Sequence, residues 1–274
     1  MSIRLVALDL DGTLLDSHKE LPPRNRRALE TCIEKGIYIV PCTGRTAIGI
    51  PEAVRSIPGI RYAITVNGGL IEDMQENKVL DQKLMDKETA LNIIDQVKDY
   101  HVMYDAYIEG VGISEERFYN HLDDYKITEE IQKLVKKTRR PVPSIIEYVK
   151  QWEGKIDKVN LFFADLELRE EIRALLKKRS DVLVSSSLYN NLEINALGAA
   201  KGDALLRLAS ILGLSREETM ACGDGENDYS MIQMAGTGVV MENGDPSVKA
   251  IADYITASND ESGVAQAIEK LVLS

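Results

Sequence analysis

The opening strand constrains this chain more than any other stretch. Ile3-Arg4-Leu5-Val6-Ala7-Leu8 is an apolar run of the length of a buried parallel strand, and it stops abruptly at Asp9-Leu10-Asp11-Gly12-Thr13. The i, i+2 spacing puts two carboxylates on one side at the mouth of a hydrophobic strand, where they repel each other and lose solvation. A hard divalent cation such as Mg2+, which takes oxygen ligands and is commonly held by one or two carboxylates plus a phosphate, removes that conflict. A lone Asp-x-Asp reads as a solvated acidic turn, so the functional reading needs partners elsewhere in the chain.

Those partners follow other strands. Pro22-Pro23 opens a helix that runs through Ala28, Leu29 and Ile33 to Gly36, and the buried strand Ile37 to Val40 then ends in Thr43-Gly44-Arg45. Tyr62 to Val66 reads as a third strand before the turn Asn67-Gly68-Gly69, and short segments near Leu70 and Val79 form a hairpin. Near the C-terminus, Ser215 with Glu218 forms a capping-box pattern, and Thr219-Met220-Ala221-Cys222 ends in Gly223-Asp224-Gly225-Glu226-Asn227-Asp228. Strands alternating with helices imply a parallel sheet with ligands beyond the strands' carboxyl ends, so these motifs converge on one edge.

Between about Leu84 and Leu188 the pattern differs. Helices and strands alternate there without any strand ending in a polar motif, Thr138 to Pro143 is a break, and helix-strand alternation of the first kind resumes at Glu193-Ile194. The expected architecture is an α/β, doubly wound parallel-sheet, Rossmann-like core built from residues 1–83 and 189–274. An α+β domain, residues 84–188, is inserted into it.

Bulk properties narrow the partners. A chain of 274 residues is ample for a real core, and 33 Lys+Arg against 44 Asp+Glu gives a net charge of −11, which argues against a nucleic-acid footprint. Cys32, Cys42 and Cys222 are too few and too scattered for a disulfide framework or a zinc site, and Cys42 and Cys222 read as buried packing residues. No apolar run reaches membrane-spanning length and the N-terminus lacks a signal-peptide design, so the expected location is the cytoplasm.

Singly, each motif has a plain explanation: Thr43 as a helix cap, Lys201 as a surface lysine, Gly223 to Asp228 as an acidic loop. Jointly, a nucleophile, a carboxylate cluster, a hydroxyl with backbone amides and a lysine are what phosphoryl transfer requires for positioning and charge neutralisation.

Asp9-Leu10-Asp11-Gly12-Thr13, Thr43-Gly44-Arg45, Lys201-Gly202 and Gly223 to Asp228 together resemble, in order and spacing, the four motifs of the haloacid dehalogenase-like (HAD) phosphohydrolases. The insert, the Asn67-Gly68 turn and the tail segments Gly238 to Met241 and Ser258 to Val264 are similar to the Cof-type, sugar-phosphatase-like subfamily. The resemblance implies a HAD core with the insert as a substrate-selecting cap. It makes Asp9 the nucleophile that becomes an aspartyl-phosphate, and Asp11 the general acid and then base. Mg2+ is implied on Asp9, the Asp11 backbone carbonyl and Asp224, with Asp228 bound to it directly or through a water. Leu10, Thr43, Gly44, Lys201 and Asn227 are implied to hold the phosphoryl oxygens. Arg45 reads equally as a salt-bridge partner for a nearby carboxylate.

The expected activity is therefore Mg2+-dependent hydrolysis of small phosphorylated metabolites, sugar phosphates or similar phosphomonoesters. The expected assembly is a monomer or weak homo-oligomer, with no nucleic-acid or membrane partner. The alternatives are a phosphomutase of the same superfamily, a non-catalytic phosphosugar-binding regulator, and a signalling receiver. The last is disfavoured because a receiver carries its phospho-acceptor on an internal strand of a much shorter chain.

Overall fold

The computed structural model describes residues 2–274. In chain order its strands are β1 (Leu5–Leu8), β2 (Tyr38–Pro41), β3 (Tyr62–Thr65), β4 (Leu70–Asp73), β5 (Lys78–Gln82), β6 (Val102–Ile108) and β7 (Val111–Glu115). They continue as β8 (Arg139–Val142), β9 (Lys158–Phe163), β10 (Val182–Ser185), β11 (Asn191–Ala196), β12 (Thr219–Gly223), β13 (Thr237–Val240) and β14 (Tyr254–Ile255). The chain divides into two compact units, Met1–Gln82 with Ala199–Ser274, and Lys83–Gly198.

The first unit is built on a parallel five-stranded sheet in the order β14-β13-β12-β1-β2. Strand alternation sends Leu5 and Ala7 to one face, where they pack with Leu205, Leu208, Met231 and Ile232 from helices Lys201–Ile211 and Tyr229–Met234. Val6 and Leu8 go to the other, with Leu29 and Cys32 of helix Pro23–Glu34 and Val264 and Ile268 of helix Gly263–Leu271. Helices therefore cover both faces, the doubly wound arrangement, and all of β1 is buried. The tertiary amide of Pro23 suits the first turn of its helix, and Gly36 ends that segment with φ +77.

Two expectations for this unit are refined. Tyr62–Thr65 pairs antiparallel with the hairpin β4-β5, and the single parallel bridge Cys42↔Ile64 relates it to the chain after β2. β1 ends at Leu8, before the acidic pair, so strand alternation does not extend to Asp11.

The second unit carries a six-stranded sheet in the order β10-β11-β9-β6-β7-β8. Asn191–Ala196, expected to lead back into the first unit, pairs antiparallel with both β9 and β10, so the units meet at 198/199 and at 82/83 rather than at 188/189 and 83/84. Its alternating Leu192 and Ile194 fit any half-apolar sheet, and only the opposing Leu161 and Val159 decide which. Arg139–Val142 is likewise an edge strand rather than a break, and an edge tolerates the missing N–H of Pro141. Register places Asp105, Tyr107, Lys158, Asn160, Glu193 and Arg139 on one face of this sheet. Lys158 pairs there with Glu193, and Arg139 with Asp105 at 3.2 Å. Among the described residues no helix is long and apolar enough to cross a membrane.

Candidate active site

The site forms where β1, β2 and β12 run out together. The Asp9 amide donates to the Cys222 carbonyl at 3.0 Å, the last rung between β1 and β12. The chain then turns sharply, with the Leu14 amide on the Asp9 carbonyl at 3.2 Å and the Leu15 amide on the Leu10 carbonyl at 2.9 Å. Gly12 makes that turn at φ +84, and a Cβ there would lie 2.5 Å from Asp224 Oδ2. Only glycine admits both the left-handed backbone and the close approach of that carboxylate. Next to it, Thr13 Oγ1 donates to Asp224 Oδ1 at 2.6 Å.

Lys201, the first residue of its helix, is fully buried and donates to Asp9 Oδ1 and Asp228 Oδ1, each at 2.6 Å. The other Asp228 oxygen accepts from the Asp224 and Gly225 amides, both at 2.9 Å, so Asp228 shapes its own loop while it anchors the lysine. One carboxylate oxygen from each of Asp9, Asp224 and Asp228 lies within 4.8 Å of the other two. One buried ammonium among three carboxylates leaves an excess of negative charge. Burial pushes Asp9 well above the usual carboxylate range, with the charges of Asp228, Asp224 and Asp11 adding to it against Lys201. Burial and Asp228 push Asp224 up to about 7, opposed by the Thr13 hydrogen bond and Lys201. An all-oxygen donor set with uncompensated charge fits a hard divalent cation.

Asp11 has different surroundings. Its side chain keeps 38 % exposure against 8 % for Asp9. Arg45 takes it by both oxygens, Nε to Oδ2 at 2.8 Å and Nη2 to Oδ1 at 2.7 Å, and Lys19 adds a contact at 3.0 Å. Burial works to raise the Asp11 carboxyl, but the hydrogen bonds and charge of Arg45, with those of Lys19, outweigh it and hold the group below its ordinary range. The Asp11 carboxylate thus stands outside the Asp9, Asp224 and Asp228 cluster and is kept ionised by its partners. The acid role implied by resemblance requires those two cations to turn to another anion first.

The remaining candidates line the same edge. Thr43, 1 % exposed, follows β2, and its hydroxyl accepts from the Arg45 amide at 3.1 Å, which leaves its own proton to donate. Gly44 lies between them, and Leu10 sits buried inside the turn after β1. Asn227 Nδ2 donates to Asn67 Oδ1 at 3.2 Å. Sequence reasoning did not assign Thr13, Lys19 or Asn67 to this site, because each reaches it through a turn whose path no periodicity encodes. For Arg45, the salt-bridge reading is what the structure shows. Cys42 and Cys222 are buried, as expected.

A family model described as haloacid dehalogenase-like hydrolase matches residues 6–268, nearly the whole chain. The chain belongs to the haloacid dehalogenase-like hydrolases. It is 32% identical over 274 residues to 5-amino-6-(5-phospho-D-ribitylamino)uracil phosphatase YcsE of Bacillus subtilis, covering 100% of this chain and 97% of that protein. It is 30% identical to pyridoxal phosphate phosphatase YbhA of Escherichia coli, covering 98% of each. Among solved structures, a haloacid dehalogenase-like hydrolase from B. subtilis superposes with a TM-score of 0.86 at 29% identity, covering 98% of this chain and 100% of that one. With this family, these relatives and this site, the chain is a phosphoric monoester hydrolase of the haloacid dehalogenase type.

Proposed function

We propose that this hydrolase is a Mg2+-dependent phosphatase of small phosphorylated metabolites that works through an aspartyl-phosphate on Asp9. The observation that carries the reading is Lys201, held by Asp9 and Asp228 at the meeting of β1 and β12 with Asp224 alongside. Asp9, Asp224 and Asp228, with the Asp11 backbone carbonyl, would hold the cation. Bound there, it would neutralise the phosphoryl group and keep Asp9 ionised.

The chain's own groups divide the remaining work. Asp9 Oδ1 is tied to Lys201, which leaves Oδ2 to attack phosphorus. As the new P–O bond forms, the ester P–O bond breaks and the leaving oxygen takes a proton from Asp11. Water then attacks phosphorus and gives a proton back to Asp11, the bond to Asp9 breaks, and orthophosphate is released. The third ammonium proton of Lys201, the Thr43 hydroxyl, the second Asn227 amide proton and the Leu10 and Gly44 amides supply donors for the phosphoryl oxygens. For Asp11 to carry a proton, Arg45 and Lys19 must be drawn to the incoming phosphoryl dianion, the competing anion at that mouth.

The second unit, Lys83–Gly198, is proposed to select the leaving group. The substrate class is a sugar phosphate or comparable phosphomonoester. The names of two relatives point to a phosphorylated ribitylamino-pyrimidine and to pyridoxal phosphate, and both belong in the test. That test is phosphate release from a panel of phosphometabolites, with Mg2+ and with chelator, for wild type and Asp9→Asn. Mg2+-dependent turnover that vanishes in the variant supports the reading, and turnover that survives Asp9→Asn overturns it.

A further inference from the structure

β3 ends at Thr65, and the next two residues are both left-handed, Val66 at φ +54 and Asn67 at φ +56. Asparagine tolerates that region, but for a β-branched valine it is an outlier that persists only where surrounding contacts over-determine it. Those contacts come from the site loops. The Val66 amide donates to the Arg45 carbonyl at 2.9 Å and the Asn67 amide to the Thr43 carbonyl at 3.0 Å. Gly68 lies against the start of the Lys201 helix so closely that a Cβ would sit 2.4 Å from the Ala200 carbonyl oxygen, and its own carbonyl accepts from Arg207 at 3.1 Å. The Asn67 side chain, 4 % exposed, reaches Asn227 in the loop after β12.

Three stretches far apart in sequence, Thr43 to Arg45, Ala200-Lys201 and Asn227, therefore meet one strained turn within the first unit. A plain hairpin turn accounts for the left-handed Asn67 and Gly68. It does not account for an amide oxygen spent on Asn227, or for backbone bonds spent on Thr43 and Arg45.

We propose that Asn67 is a positioning residue of the phosphoryl-binding set, orienting the Asn227 amide through its side chain and the Thr43 loop through its backbone. The proposal rests on the phosphatase reading above. With one Asn227 amide proton bonded to Asn67, the other is held in a defined direction, so part of the cost of ordering that side chain is met before an oxyanion arrives.

Asn67→Gly separates the two roles, because glycine keeps the left-handed backbone and removes only the amide. The measurements are KM and kcat for p-nitrophenyl phosphate, the inhibition constant of orthophosphate, and urea midpoints. The proteins are wild type, Asn67→Gly, Asn227→Ala, the double variant and Asp9→Asn. Asn67→Gly is expected to raise KM and the orthophosphate constant by up to about tenfold, the size of one net hydrogen bond, with a smaller change in kcat and an unchanged urea midpoint. The double variant is expected to be no weaker for orthophosphate than Asn227→Ala alone, since the two side chains act as one unit.

Unchanged constants in Asn67→Gly, or losses that multiply in the double variant, overturn the proposal and leave the phosphatase reading standing. A urea midpoint that falls with activity while KM stays constant makes Asn67 a structural residue and also overturns it. Turnover that survives in Asp9→Asn, or is absent from wild type, fails the phosphatase reading itself and takes the proposal with it.

Discussion

Arg45 meets the Asp11 carboxylate edge-on, with one guanidinium nitrogen on each oxygen and its remaining nitrogen anchored on the Gly49 carbonyl at 2.8 Å. Such a fork fixes direction as well as charge, which a lysine cannot do. Because Arg45 turns to the phosphoryl dianion when Asp11 takes up its proton, Arg45→Ala is predicted to lower kcat/KM for alkyl and aryl phosphates alike, by roughly 100-fold. Arg45→Lys should fall between. A loss confined to alkyl phosphates, whose leaving oxygen needs a proton, would show that Arg45 acts through Asp11 alone.

Lys201 is the buried counter-charge of the site. Replacing it with methionine keeps the length of the stem but leaves two buried carboxylates facing each other, a change that costs about 3–5 kcal/mol. Urea denaturation of Lys201→Met without divalent cations is expected to show that loss, and added Mg2+ should recover part of it. An unchanged midpoint would contradict the electrostatic account.

Asp224→Asn tests the cluster in the opposite direction. The amide oxygen can still accept from Thr13, while one of three crowded carboxylates loses its charge. Without cations this variant is predicted to be at least as stable as wild type. It should also lose most of the gain that Mg2+ gives wild type, about 2.7 kcal/mol at a hundredfold excess over Kd. Thermal melts with and without Mg2+ read both effects.

Asp73, at the end of β4, gives a pH-dependent contribution away from the site. Its Oδ2 accepts from Arg61 at 2.7 Å and its Oδ1 from the Gln75 and Glu76 amides, and chiefly the Arg61 hydrogen bond holds its carboxyl below the ordinary range. A lowered folded pKa means that this stability is present above the ordinary carboxylate pKa and is lost as pH falls through the lowered value. Asp73→Asn is therefore expected to cost about 1 kcal/mol at neutral pH, a modest amount because the Arg61 side chain is partly exposed and water screens the pair. The gap should close on acidification. A gap that widens below pH 4 would refute the sign.

The Asp9, Thr43 and Asp224 motifs were legible because each follows an apolar strand, and a parallel sheet delivers such ends to one edge. Lys201 arrives differently, at the start of the helix that precedes β12, after a strand of the other sheet. The second unit was legible only in outline. Asn191–Ala196 and Arg139–Val142 have patterns that suit several partners, and nothing local says which sheet they join.

The sequence by itself determined the doubly wound core through its hydrophobic period and, through motifs that resemble those of the haloacid dehalogenase-like hydrolases, the family, since pattern and motif are local properties of the chain. Tertiary structure alone decided how the two aspartates differ. Asp9 lies under a buried lysine and Asp11 in the grip of Arg45 and Lys19, although they stand two positions apart. It also decided that Asn67 joins Thr43 to Asn227. The physical reason is the same in both cases. A carboxylate's charge state and an amide's direction are set by whichever groups come within hydrogen-bonding distance, and those groups arrive from loops far away in sequence.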